Sequence, residues 1–205
     1  IFFEFIPMDE LDKEDPKRLP LEEVELGKKY ALVLSNTAGL WAYSIGDIVK
    51  FVSVDPYRVV VAGRTKHFIS AFGEHVIGEE VENALIESCK KHEARFSEFT
   101  VAPMVNPPEG QRPHHEWFVE FDVEPGDKIA FANDVDQALQ RLNSYYKDLR
   151  EGNVLQALEL NVMQKNAFNN YMKGEGRLGG QNKLPRLKND RSIADNLQEY
   201  VKRKV

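Results

Sequence analysis

The stretch YRVVVAGRTKHFISAFGEHVIGEEVENALIESCKKH, residues 57–92, holds the change of character on which the fold reading turns. It opens on a β-branched run, 57–62, with no helical period. It closes with Val81, Leu85 and Cys89 at every fourth position and Ala84 beside them, one apolar face of a helix over 79–92. Between the two lie Gly63-Arg64-Thr65-Lys66, then a short strand and a glycine turn over 67–77. The pattern is all-β before this joint and mixed after it.

Working upstream, 48–54 is a second β-branched run, set off from 57–62 by Asp55-Pro56, a turn pair in which proline presets φ. The two predict a hairpin. Residues 30–35 read as a buried strand and 1–6 as a strand stopped by Pro7, with a charged surface loop over 9–19. Working downstream, 99–105 reads as a strand, and Trp117, Val119, Phe121 and Val123 alternate with Phe118, Glu120 and Asp122, a period of two. Val135, Leu139, Leu142, Tyr146 and Leu149 predict one long helix entered through Asn133 and Asp134 as N-caps. Residues 158–163 read as the last core strand, followed by a glycine-rich tail, 174–186, and a terminal helix with Ile193, Leu197 and Val201 on one face. From His67 the order is strand, helix, strand, strand, helix, strand, the split βαβ of a ferredoxin-like domain. The expected class is α+β: the end of a β-rich subdomain over 1–63, then a ferredoxin-like two-layer α/β domain over 64–205.

The composition excludes several classes. With 205 residues, 42% of them hydrophobic and 29% charged, the chain is neither collagen-like, low-complexity nor disordered, and is long enough to bury a real core. Lys and Arg total 27 against 33 Asp and Glu, a net charge of -6, so no overall positive field is available to nucleic acid or an anionic membrane, and neither partner is expected. No apolar run approaches the roughly 20 residues a bilayer helix requires, and no charged segment starts a signal peptide. Cys89 is the single cysteine and cannot close an intramolecular disulfide, which fits the reducing cytoplasm, the expected location. Because the sequence starts at Ile1 inside a strand, it is expected to be a fragment of a longer protein.

Residues 174–179 match G-x-G-x-x-G, with Asp195 downstream, but no strand precedes them, no helix opens inside them, and Pro185 follows. A Walker A loop fails too, since Gly180 stands where lysine is required. Cys89 and His92 are three apart on a helix, yet no second pair completes a tetrahedral metal set, and His114 and His115 are adjacent on a strand and so point to opposite faces. No metal site is expected. Cys89 continues the Val81 and Leu85 stripe and reads as core. Asp47 either caps a turn between strands or, with both carboxylate oxygens, accepts from vicinal hydroxyls such as those of a ribose. Lys183 is either a solvated loop lysine or a movable point charge suited to building negative charge on a phosphate.

Three segments together carry a resemblance: Tyr43-Ser-Ile-Gly-Asp47; Gly63-Arg64-Thr-Lys66-His-Phe-Ile-Ser70, running through Gly73 to Glu82; and Gly180-Gln-Asn-Lys183-Leu-Pro-Arg186. In order and spacing they resemble the C-terminal part of acyl-adenylating enzymes. With Phe2-Phe-Glu-Phe-Ile-Pro7 and Leu40-Trp-Ala-Tyr43, the whole chain is similar to the auxin-responsive (Gretchen Hagen) acyl-acid amido synthetases, in particular bacterial ones. The resemblance implies that 1–63 ends a large adenylating domain and that 64–205 is a mobile cap. It makes Asp47 the binder of the ATP ribose, Tyr43 a neighbour of the nucleotide, and Arg64 a contact to ribose or phosphates. Lys66 becomes the hinge and Lys183 the adenylation lysine. ATP and Mg2+ are the implied cofactors, held mainly by an N-terminal large domain outside this sequence. The implied substrates are a carboxylic acid and an amine, in the first place an amino acid, and the fragment alone is expected to be inactive. Ala42 and Ser44 stand where the family often has arginine, and Ser70 where many acyl-CoA synthetases carry lysine. Two alternatives stay open: a fragment of a phenylacetate-type acyl-CoA ligase, and a non-catalytic ferredoxin-like binding module.

Overall fold

A computed structural model describes residues 1–11, 13–65, 68–176 and 184–205, Phe68 by its backbone alone. The chain divides into two compact units, Ile1–Phe68 with Ile77–Glu79, and Ile69–Val76 with Glu80–Val205.

The first unit is built on an antiparallel sheet of β1 (Phe2–Pro7), β2 (Lys29–Ser35), β3 (Tyr43–Val54) and β4 (Tyr57–Arg64), in that order. The 48–54 and 57–62 runs form the expected hairpin, but β3 starts earlier, at Tyr43. Period-two alternation puts Phe5, Tyr30 and Phe51 on one face, where their rings meet edge to face at 5.1–6.2 Å between centroids. Tyr30 keeps its hydroxyl satisfied by accepting the Glu25 N–H at 3.0 Å.

The second unit has a four-stranded sheet of β7 (Arg95–Met104), β8 (His114–Val123), β9 (Glu159–Met163) and β10 (Val201–Lys204), ordered β10-β9-β8-β7. β7 and β8 are antiparallel, β8 and β9 parallel, β9 and β10 antiparallel. Ahead of them, β5 (Phe68–Ile69) and β6 (Val76–Ile77) pair, among the described residues, with each other, so the first strand of the expected split βαβ stays outside the main sheet. Helices α1 (Gly78–Lys91), α2 (Lys128–Leu142) and α3 (Ser144–Glu151) cover one sheet face. Val81, Leu85, Phe131, Val135 and Leu139 pack there against Phe99, Trp117, Val119 and Val162. On this face the helices pack on the sheet as the α/β pattern predicts. The opposite face is also covered: Phe118 and Met163 pack under α4 (Ala167–Gly174) and the single turn α5 (Ala194–Leu197).

Three readings need correction. The long helix is two helices and starts at Lys128, because Asp127 Oδ1 accepts the Ile129 and Ala130 N–H groups at 3.0 and 2.9 Å. Asp134 instead pairs with Lys91 and His92, so neither it nor Asn133 is a cap. The break falls at Asn143, an extended residue whose side chain accepts the Tyr146 N–H at 2.8 Å and caps α3. One non-helical residue barely disturbs the apolar phase, so periodicity alone runs straight through it. The terminal helix is one turn only. Val201–Lys204 is drawn into β10, which supplies a partner to the otherwise open edge of β9.

Asn143 also donates from Nδ2 to the buried Glu80 Oε2 at 3.0 Å. Asn143→Ala therefore removes a helix cap and a buried partner together, and chemical denaturation should show a loss of about 2–4 kcal/mol. A loss under about 0.5 kcal/mol would mean the break is set elsewhere.

Candidate functional site

Asp47 and Arg64 of the first unit are brought together where β3 is irregular. Opposite β2, Ala31 pairs with Ile48 but Val33 with Ser44, so the register shifts there. Gly46 absorbs the shift with φ +79, and its carbonyl accepts the Thr65 N–H at 2.8 Å. Opposite β4, the register shifts again between Ile48 and Val49. Asp47, between the two shifts, lies in the strand directly opposite Arg64, rather than in a turn between strands.

Arg64 Nε lies 2.7 Å from Asp47 Oδ1. That oxygen is buried and accepts no aligned hydrogen bond among the described residues, so the contact is an ion pair with hydrogen-bonding capacity unspent. The Arg64 side chain is 60% exposed, and a pair this open to water contributes only about 0–1 kcal/mol. The guanidinium, largely in water, stays able to donate to an anion. Tyr43 opens β3 and is half exposed. Lys66 and Lys183 lie outside the described residues.

The second unit holds the other titratable clusters. Glu74 and His115 are wholly buried and joined at 2.9 Å between Oε1 and Nε2, while Glu74 Oε2 accepts the Phe72 N–H at 2.8 Å. Burial raises the Glu74 pKa, but the His115 hydrogen bond and charge outweigh it and hold the carboxyl below its ordinary value. Sequence reading missed this pair, because its members are 41 positions apart. His114, Glu116 and Glu159 also converge, at i, i+2 and the cross-strand position. Arg191 sits 2.6 Å from Glu116, and Lys204 3.1 Å from Glu159, so two cations already balance the two carboxylates.

Cys89 is buried in the helix face, as its stripe predicts, and His92 turns to Asp134 at 2.6 Å. Burial pushes the Cys89 thiol up to about 11. The native protein at pH 8 should therefore resist alkylation by iodoacetamide, with labelling appearing only as denaturant unfolds it, read by intact mass. Fast labelling of the folded chain would contradict the core assignment.

Comparison with known proteins places this geometry. Residues 1–64 match the GH3 family central domain and residues 79–192 the GH3 family C-terminal domain. The chain is 28% identical over 198 residues to the jasmonoyl–L-amino acid synthetase JAR4 of Nicotiana attenuata, covering 90% of this chain and 33% of that protein. It is 25% identical over 213 residues to the indole-3-acetic acid-amido synthetase GH3.3 of Arabidopsis thaliana, covering 98% and 35%. The solved structure of the GH3.15 acyl acid amido synthetase shares the fold, with a TM-score of 0.70 at 19% identity over 99% of this chain and 38% of that one. The chain spans about a third of the length of the curated relatives it matches. With the central-domain and C-terminal-domain matches following each other along its length, the chain belongs to the GH3 family.

Proposed function

We propose that this chain is the C-terminal part of an ATP-dependent acyl-acid amido synthetase, which adenylates a carboxylic acid and transfers the acyl group to an amine. The observation that carries the reading is the Asp47 and Arg64 pair, set 2.7 Å apart between two strand irregularities in a member of this family. The names of the relatives, a jasmonoyl–L-amino acid synthetase and an indole-3-acetic acid-amido synthetase, support an amino acid as the amine.

In the first half-reaction a carboxylate oxygen attacks the α-phosphorus of ATP, and pyrophosphate leaves with the bonding electrons. Asp47 accepts from the ribose hydroxyls, with Tyr43 beside the nucleotide. Arg64 keeps that carboxylate in place and reaches the ribose or phosphates. Lys183 contacts the acyl carboxylate and the phosphate, where charge builds only in the transition state. Mg2+ would neutralise charge on the phosphates and would be held mainly by a large domain outside residues 1–205. In the second half-reaction the neutral amine nitrogen attacks the acyl carbonyl carbon, the C–O bond to phosphate breaks, AMP leaves, and the nitrogen gives up one proton, keeping the other as the amide N–H. The cap turns about Lys66 between the two steps, a conformational change of the kind that often limits turnover.

The roles separate kinetically. In the full-length protein, Lys183→Ala should slow ATP–pyrophosphate exchange by about 10² to 10³ with little change in the KM for ATP. Asp47→Ala should raise that KM by about tenfold, because a ground-state contact to a charged acceptor is lost. The chain of residues 1–205 by itself should show no exchange with any acid. Adenylation surviving Lys183→Ala within a factor of about 3 would remove the lysine from the mechanism.

A further inference from the structure

One face of β8 and β9 carries polar atoms that the fold leaves unsatisfied. Phe118 and Met163 pack under α4 on that face, so period-two alternation puts His114, Glu116, Glu159 and Asn161 there too, with Glu116 opposite Glu159 and Phe118 opposite Asn161. A ring nitrogen of His114 and one carboxylate oxygen from each of Glu116 and Glu159 lie within 4.8 Å of one another. His114 and Glu116 are each 1% exposed, and Asn161 is fully buried. His114 Nδ1 lies 2.9 Å from the Arg112 carbonyl, closer than the Gln156 amide nitrogen at 3.2 Å. A carbonyl only accepts, so the ring proton sits on Nδ1 and Nε2 presents a lone pair. Nε2 is buried and has no hydrogen-bond partner among the described residues, and neither has either amide atom of Asn161. Buried acceptors beside carboxylates are costly unless a cation lies among them. An imidazole held through one nitrogen by a backbone carbonyl, with the other left to ligate, is also how proteins orient a metal-binding histidine.

Two side-chain cations reach these carboxylates, and they are held differently. Arg191 Nη2 lies 2.6 Å from Glu116 Oε2, an oxygen that accepts no aligned hydrogen bond among the described residues. Arg191 is tied elsewhere as well, pairing with Asp195 at 3.0 Å and donating to the Pro103 carbonyl at 3.1 Å. Lys204 Nζ lies between the carboxylates, 3.7 Å from Glu116 Oε1 and 3.1 Å from Glu159 Oε1, on a side chain that is 52% exposed. An ion pair this open to water is weak, so the ammonium can swing into solvent. It marks the position of a cation between two carboxylates. With Lys204 swung out and Arg191 balanced by Asp195, Glu116 and Glu159 carry two negative charges, which one divalent ion neutralises.

We infer that His114 Nε2, Glu116 and Glu159 form a binding site for a divalent transition-metal ion, which takes the place of the Lys204 ammonium. The imidazole selects ions of the Zn2+ type over Mg2+ and Ca2+, which take oxygen ligands. Asn161, opposite both Phe118 and Lys204 in register, offers an amide oxygen on the same face as a further ligand. Sequence spacing expects no metal site because two of the ligands share a strand and the third is the cross-strand neighbour of Glu116.

The test titrates ZnCl2 into the metal-free chain of residues 1–205 and measures bound zinc by equilibrium dialysis, with MgCl2 as control and thermal unfolding alongside. The wild type should bind Zn2+ in a one-to-one ratio, and Mg2+ more weakly by at least about tenfold. His114→Gln and Glu159→Gln should each weaken Zn2+ by at least about tenfold, the loss that follows even when a group that only orients a ligand is removed. Lys204→Met, at an exposed position, should tighten Zn2+ by about three- to tenfold, because the ion no longer competes with an ammonium. Zinc should raise the unfolding midpoint of the wild type and of Lys204→Met, and leave that of His114→Gln unchanged. If His114→Gln does not fold, the opposite shifts in Glu159→Gln and Lys204→Met decide, since ion pairs that only hold the strands together would give neither. Absence of stoichiometric zinc in both the wild type and Lys204→Met overturns the proposal. So does zinc binding that all three substitutions leave unchanged, which places the ion elsewhere, and so does Mg2+ binding as tight as that of Zn2+.

Discussion

The second unit is governed by one constraint: β8 is buried on both faces yet carries His114, His115, Glu116 and Glu120, each less than a tenth exposed. A buried charge is tolerated only when paired and hydrogen-bonded, so each of these side chains fixes a distant segment. His115 holds Glu74 of the 70–75 loop. Glu116 draws in Arg191 and Lys204 from the C-terminal stretch. Glu120 accepts the Asn166 N–H at 2.8 Å and the Phe168 N–H at 3.4 Å, satisfying the start of α4, whose own N-cap residue makes no side-chain bond. Opposite charge at a helix N-terminus is also electrostatically favoured. The strand thus acts as a post to which the loop, α4 and the tail are tied.

The same logic recurs among the helices. Asp136 is nearly buried and accepts from the Tyr146 hydroxyl at 2.6 Å and from Arg150 and Gln140. Tyr146 in turn stacks on His115 at 5.1 Å, and burial, with the Asp136 charge, raises its pKa well above the ordinary value, so it remains a donor. Where β8 and the helices use buried charge pairs to fix structure, the Asp47 and Arg64 pair of the first unit keeps its guanidinium largely in water and contributes little to stability.

What was legible in the sequence follows from range. Helix α1 and the alternation in β8 depend on spacing within one element, and Val81, Leu85, Cys89, Trp117 and Val119 announced their faces directly. The β-rich start, the hairpin at Asp55-Pro56 and the α+β class were legible for the same reason. Partnerships were not. Asp127 caps α2 although Asp134 has the same chemistry, because Lys91 and His92, more than forty positions away, claim Asp134. Val201 keeps helical spacing with Ile193 and Leu197, yet the open edge of β9 captures it. Asp47 was placed in a turn because two register shifts take it out of strand phase. Its pairing with Arg64 carries no local signal. Motif order pointed to the family, which the domain matches bear out, whereas Lys66 and Lys183 rest on motif position alone.

The central claim is that this family member joins an acid to an amine through an acyl adenylate. The most direct measurement is to incubate the full-length protein with ATP, Mg2+ and mixtures of carboxylic acids and amino acids, and to identify nucleotide and acyl products by mass spectrometry. The account predicts AMP and pyrophosphate in step with an amide whose mass is that of acid plus amine less one water. A thioester formed only when coenzyme A is supplied, release of ADP and phosphate, or no acid-dependent consumption of ATP would contradict it.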